Sequence, residues 1–263
     1  MKLKGLLLIP VLAGLGAALL WLLGIRDLGV LWRNAAYYLG DPTETEVMVM
    51  DYAREHGITL GDYPPSLIDL LERNPETAEF VLGYPFPREE NFDLSEYENS
   101  ESVPLFLQWD RRWGYEIYGS DVIGITGCGP TCLAMVGYYL TGNDFFRPDT
   151  VAEFAWDEGY YSPGSGSSWT LISEGGVELG LDVTEIPLVK KRIVDNLEVG
   201  HPIICAMGAG DFTTSGHYIV LTGLEDGKFR VNDPNSVANS ERLWAYEEIE
   251  DQIRNIWVIR YFG

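Results

Sequence analysis

Gly127-Cys128-Gly129-Pro130-Thr131, running on into Cys132-Leu133-Ala134-Met135-Val136-Gly137-Tyr138-Tyr139-Leu140, places a thiol where the chain turns sharply into a helix. Leu133, Ala134, Met135, Val136, Tyr139 and Leu140 recur with helical periodicity. Pro130 suits the first helical position, and Gly127 and Gly129 let the backbone bend and come close to a ligand. The positive end of the helix dipole falls on Cys128, which favours thiolate over thiol. Two readings stand open: an activated nucleophile, or a buried structural cysteine at a helix start.

A nucleophilic thiolate needs a base, a partner that orients the base, and donors for an oxyanion. The chain has 3 histidines. His56 closes a helical stretch far upstream, and His201 sits in the turn Gly200-His201-Pro202. His217 opens Gly216-His217-Tyr218-Ile219-Val220-Leu221 at the mouth of an apolar strand, so it is the best-placed base. Glu225-Asp226-Gly227 reads as a hairpin loop, after which Lys228–Asn232 returns to Asp233-Pro234. A three-residue loop with Gly227 left-handed sets Ile219 opposite Asp233 and puts Asp233 on the face of His217. A two-residue Asp226-Gly227 turn pairs Val220 with Asp233 and sends it to the other face. The role of Asp233 as orienter of His217 therefore hangs on the register, and Asp233-Pro234-Asn235 also reads as an ordinary turn.

Upstream, Gln108 in Gln108-Trp109-Asp110 carries an amide that can donate to an oxyanion together with the Cys128 backbone N–H, or else is a surface polar residue. Trp109, Trp113, Tyr115 and Tyr118 read as packing. Cys132 and Cys205 read as small core residues.

Helical pieces are expected at 128–140, 149–159 and 168–180. Short β-rich runs follow at Val183–Ile186, Pro202–Met207, His217–Leu224, Lys228–Asn232 and Ile256–Tyr261. Helices first and an antiparallel set later give an α+β class. The small-residue loop 162–168 reads as a plain linker or as a mobile lip beside a cleft. Before residue 103, helical patterns run from Asp41-Pro42 to His56-Gly57, then at Ser66–Arg73 and Pro75–Leu82, and an acidic linker spans 88–102.

Composition narrows the partners. Apolar residues make up 46% of the chain, enough for a packed core. A formal charge of −22, with 18 basic residues unclustered against 40 acidic ones, makes nucleic acid a poor partner and a basic substrate a better one. With 3 cysteines there is no disulfide framework, and no cysteine pair has zinc-ligand spacing with a histidine, so neither a metal nor a cofactor is expected.

Lys2 and Lys4 precede an uncharged stretch from Gly5 to Ile25, closed by Arg26 and Asp27. As a helix it would reach about 30 Å, the thickness of a bilayer core. A cleaved signal peptide has a shorter apolar core, so an uncleaved signal anchor over 1–27 is preferred, with secretion after cleavage as the alternative. No cysteine is there to carry a lipid. The lysines argue for an inside start, which puts the rest of the chain outside the cytoplasm.

Taken together, Gln108-Trp109-Asp110-Arg111-Arg112-Trp113-Gly114, Gly127-Cys128-Gly129-Pro130-Thr131-Cys132-Leu133-Ala134-Met135-Val136, Gly216-His217-Tyr218 and Asn232-Asp233-Pro234 resemble the peptidase C-39-like group. Its members are papain-like domains related to bacteriocin-processing peptidases. The resemblance runs over about residues 103–262. It implies a papain-like α+β fold, with an N-terminal catalytic helix packed on an antiparallel sheet. It also implies Cys128 as nucleophile, His217 as base, Asp233 as orienter and Gln108 as oxyanion donor. Gln108 stands twenty positions before Cys128, unlike the close spacing of the transporter-linked peptidases and similar to the stand-alone branch. The double-glycine leader substrate of the transporter-linked enzymes is not carried over.

The expected organisation is a signal anchor at 1–27, a helical juxtamembrane region and linker at 28–102, and the peptidase-like domain at 103–263. The expected activity is that of a membrane-anchored extracytoplasmic cysteine peptidase acting on peptides or proteins. An amidase or acyltransferase of cell-wall peptides and a non-catalytic peptide-binding domain are the alternatives.

Overall fold

Residues 42–88 and 92–263 are described by the computed structural model of the chain. The expected membrane anchor at 1–27 and the first part of the expected juxtamembrane region, residues 28–41, lie outside the described residues. Among the described residues, no helix is long and apolar enough to cross a membrane.

The chain divides into two units, Met1–Ile68 and Asp69–Gly263. In the first, α1 (Glu44–Glu55) begins with a capping box: the Thr43 hydroxyl accepts from the Glu46 N–H, and the Glu46 carboxylate accepts from the Thr43 N–H. A 3₁₀ turn follows at Leu60–Asp62, and α2 (Pro65–Arg73) runs across the division.

The second unit opens with a 3₁₀ turn at Pro75–Thr77 and α3 (Ala78–Gly83). A two-stranded ribbon, β1 (Ile117–Tyr118) and β2 (Asp121–Val122), leads into α4 (Ile123–Thr126) and then α5 (Cys128–Thr141). After α6 (Pro148–Asp157), a second ribbon of β3 (Tyr161–Ser162) and β4 (Gly166–Ser167) occupies the small-residue loop. The helix expected over 168–180 is a π turn at Leu171–Gly175 and a single helical turn at Gly176–Glu178. Adjacent Gly175 and Gly176 weaken regular helix there.

One antiparallel sheet in the order β5-β10-β6-β7-β8-β9 completes the unit. Its strands are β5 (Asp182–Glu185), β6 (Ile203–Gly208), β7 (Gly216–Glu225), β8 (Lys228–Asn232), β9 (Leu243–Trp244) and β10 (Ile253–Arg260). Among its connections are α7 (Lys190–Glu198) between β5 and β6, α8 (Val237–Glu241) between β8 and β9, and a helical turn at Tyr246–Ile249 between β9 and β10.

The strands are read by both faces. Ile204, Ala206, Tyr218, Val220, Trp257 and Ile259 join the core under α5, whereas Ile203, Cys205, Ile219, Leu221, Ile256 and Val258 join a second core under α7. This is the period-2 alternation of a strand with helices on either side. Helix α7 escaped the sequence reading because Val189 offers no capping side chain and Lys190-Lys191-Arg192 masks its apolar stripe. That stripe is Ile193 and Leu197, four residues apart and buried.

The β7–β8 hairpin departs from the expected turn yet keeps the expected register. Asp226 and Gly227 both have positive φ, and Glu225 pairs with Lys228, so the turn has two residues. Such a turn, run regularly, would set Val220 against Asp233. Instead the ladder shifts between Leu221 and Gly223, leaving Thr222 as an extra residue on β7, and Val220 pairs with Asn232. Continued by one residue, this register sets Ile219 opposite Asp233, on the strand face that also carries His217. A β-bulge thus does what the three-residue loop was expected to do.

Candidate active site

Helix α5 begins at Cys128 itself, with Gly127 as its N-cap. Pro130 is therefore the third helical residue rather than the first, still within the turn where a missing N–H breaks no helical bond. The flanking glycines serve close packing of protein on protein. A Cβ on Gly127 would lie 2.5 Å from Ile123 Cγ2, and one on Gly129 would lie 2.7 Å from the Cβ and Oγ of Ser167. The 162–168 loop is thus no plain linker. It is a hairpin seated against the start of α5, with Ser167 bonded to Tyr118 Oη at 2.8 Å and its carbonyl accepting from Tyr218 Oη at 3.3 Å.

His217 enters from the start of β7. Its Nε2 lies 2.7 Å from Asp233 Oδ1, and both side chains are buried. With Nε2 engaged by the carboxylate, Nδ1 is the ring nitrogen left for Cys128, which is among the groups that raise the His217 pKa. Burial by itself lowers the His217 pKa. The charge and hydrogen bond of Asp233, then the hydrogen bond and charge of Cys128, override it and push the value up to about 10. His201 sits at the other end of β6 from Met207, the residue paired with His217, six strand residues or about 20 Å away.

Asp233 is held on every side. Its Oδ2 accepts from Asn239 Nδ2 at 2.8 Å, its Oδ1 also accepts from the Asn235 N–H at 2.9 Å, and its own N–H donates to Ser240 Oγ at 2.9 Å. Asn239 and Ser240 lie on α8 and were not singled out from the sequence. The available signal was Ser236, which accepts from the Asn239 N–H as a helix N-cap.

Gln108 is buried, its N–H donating to the Pro234 carbonyl at 2.7 Å and its side-chain Nε2 donating to the Gly124 carbonyl at 2.9 Å. It is no surface residue. It bridges the Asp233-Pro234 turn and the short helix that runs into Cys128. The Gly124 acceptor fixes which end of the amide is nitrogen, so one N–H of that NH₂ remains uncommitted while Oε1 has no partner. Around it, Trp113, Tyr115 and Tyr118 are buried packing residues, and Trp109 Nε1 donates to the Asn235 carbonyl at 3.0 Å.

The other two thiols differ from Cys128. Cys132 and Cys205 are fully buried, and burial raises the pKa of both, whereas Cys128 is partly exposed.

Among solved structures the chain aligns with the peptidase domain of Streptococcus ComA, a bi-functional ABC transporter involved in a quorum-sensing pathway. The identity is 19% and the TM-score 0.41, over 52% of this chain and 93% of that one. It also aligns with a structure described as a C39-like peptidase from Bacillus anthracis, at 13% identity and TM-score 0.42, over 66% of this chain and all of that one. No curated protein matches it. A family model, by contrast, covers residues 100–262, more than half of the chain and every residue of the site just described. By that match the chain belongs to the Peptidase_C39 like family, which suggests a cysteine peptidase.

Proposed function

We propose that the protein hydrolyses peptide bonds through Cys128, His217 and Asp233, with Gln108 as an oxyanion donor. The observation that carries this reading is the buried His217–Asp233 pair, with Nε2 at 2.7 Å from the carboxylate and Nδ1 left for Cys128, whose influence helps raise the His217 pKa. In the resting site His217 holds its proton beside the sulfur, and Asp233 stabilises the imidazolium. The Cys128 sulfur attacks the carbonyl carbon, and the oxyanion is met by the uncommitted Gln108 N–H and the Cys128 backbone N–H. His217 gives its proton to the leaving nitrogen as the C–N bond breaks, leaving a thioester. Water then attacks, His217 takes its proton, the C–S bond breaks, and the acid departs with the thiolate–imidazolium pair restored.

An apolar stretch at Gly5–Ile25 after Lys2 and Lys4 supports anchoring in a membrane with the site outside the cytoplasm. The charge of −22 supports a basic peptide as substrate.

The test is incubation of the full chain with a panel of Lys- and Arg-containing peptides, read by mass spectrometry. New peptide N-termini that vanish with Cys128→Ala are expected. Release of ammonia or transfer to an added amine, with the peptide backbone intact, would move the reading to an amidase or acyltransferase. Peptide binding without any product would overturn catalysis.

A further inference from the structure

The family match begins at residue 100, but three hydrogen bonds to the Asp233 turn and the helix after it come from before it. Glu76 places its carboxylate across the start of α8: Oε2 accepts from the Val237 N–H at 2.8 Å and Oε1 from the Ala238 N–H at 2.9 Å. The first N–H groups of a helix have no intrahelical acceptor, and a carboxylate bonds them more strongly than a neutral group does. Helix α8 is the element whose Asn239 and Ser240 hold Asp233. Asn74 Nδ2 donates to the Asn235 carbonyl at 2.5 Å, inside the same turn, while Asn74 Oδ1 accepts from the Glu76 N–H at 3.1 Å and sets the approach of Glu76.

A few residues further on, the same segment reaches the other wall of the site. Phe80 is buried and stacks on Tyr115 at 4.4 Å, and the Tyr115 hydroxyl donates to the Phe80 carbonyl at 2.7 Å. Its ring lies so close to Gly124 and Gly114 that a Cβ on either would come within 2.6 Å and 2.8 Å of it. Gly124 is the residue whose carbonyl holds the Gln108 amide.

We infer that residues 74–83 form a brace that positions the site from outside the family-matched region, Asn74 and Glu76 setting Asp233 through α8 and Phe80 backing Gly124 behind Gln108. The assignment of Asn74, Glu76 and Phe80 as positioning residues rests on the reading of Cys128, His217 and Asp233 as the reacting set. None of the three is given a contact with substrate. Their effect is transmitted by geometry, through one short helix and one backbone carbonyl.

The test follows the His217 imidazole by NMR across pH in the full chain and in Glu76→Ala, Asn74→Ala and Glu76→Gln variants. Arg260→Ala, which loses its Asp182 partner at the far edge of the sheet, is the control for mere destabilisation. The charged groups acting on His217 are Asp233 and Cys128, so a loosened Asp233 is read directly in the imidazole midpoint. A downward shift of about one pH unit is expected for Glu76→Ala and for Asn74→Ala. Glu76→Gln retains one acceptor oxygen and is expected to shift less, and Arg260→Ala not at all. With a cleavable peptide in hand, the two alanine variants lower kcat about tenfold with KM unchanged. A midpoint equal to wild type in folded Asn74→Ala and Glu76→Ala would overturn the brace. A wild-type Cys128 no more reactive than Cys132 would remove the peptidase reading, and the imidazole shift would still decide the brace on its own.

Discussion

A buried imidazole between a carboxylate and a sulfur holds its proton far above the pH at which a free one releases it. For His217 the value is pushed up to about 10, from the ordinary histidine value of 6.5. Between those two pH values the native state binds the proton and the unfolded state does not, so stability falls as pH rises through this window. The contribution is fully present below about 6.5 and lost through the folded-state value, with a slope approaching about 1.4 kcal/mol per pH unit. Urea unfolding of Cys128→Ala, in which the thiol does not titrate and Asp233 still holds the ring, is expected to show this decline. The double variant with His217→Gln is expected to be flatter across the same range. Parallel pH dependences would mean that His217 is not held protonated. At this scale the sequence was most legible: Cys128, His217, Asp233 and Gln108 each announce themselves by residue type beside a glycine, a strand end, a turn or a tryptophan. Asn239 and Ser240 did not, because their importance lies in one tertiary contact with Asp233 and leaves no periodic trace.

Strands and the α5 helix were legible for a different reason. The unbroken apolar runs of β6 and β7, buried on both faces, and of the helix after Cys128, buried from Gly129 to Tyr138, are properties of burial, and burial is what the sequence encodes most redundantly. The hairpin was only half legible. A three-residue loop and a two-residue turn with a bulge bring Ile219 to the same partner, so the pattern of apolar residues cannot tell them apart. Positive φ at Asp226 and Gly227 chooses the tight turn, and Thr222 absorbs the residue left over. Deleting a mid-strand residue ordinarily sends everything beyond it to the wrong face. Deletion of Thr222 is expected to be an exception, since it leaves Glu225 paired with Lys228 and Leu221 with Val231 while removing only the bulge. Peptide cleavage is expected to stay within about threefold of wild type, because Asp233 keeps its place beside His217. A loss of about 100-fold in a variant with native circular dichroism would show that the bulge itself, and not the register, aims Asp233.

On the scale of the whole molecule, the site joins four segments that are remote in sequence: the loop at Gln108, the start of α5, the start of β7 and the turn after β8. Their nearness was inferred from residue chemistry and from one strand register, and the structure supplies it through backbone contacts such as the Gln108 N–H on the Pro234 carbonyl. What the sequence did not disclose is the support arriving from residues 74–83, because an Asn-Pro-Glu turn reads locally as a helix start and nothing more. The central claim is that folding makes one of the 3 cysteines a nucleophile. Labelling the full chain with a thiol-reactive peptide electrophile, at several pH values, before and after unfolding in urea, tests it directly. The account predicts rapid modification of Cys128 near neutral pH in the folded protein and a sharp fall with His217→Ala. It predicts protection of Cys132 and Cys205 until unfolding brings all three to similar rates. Equal, slow labelling of Cys128, Cys132 and Cys205 in the folded protein would contradict it.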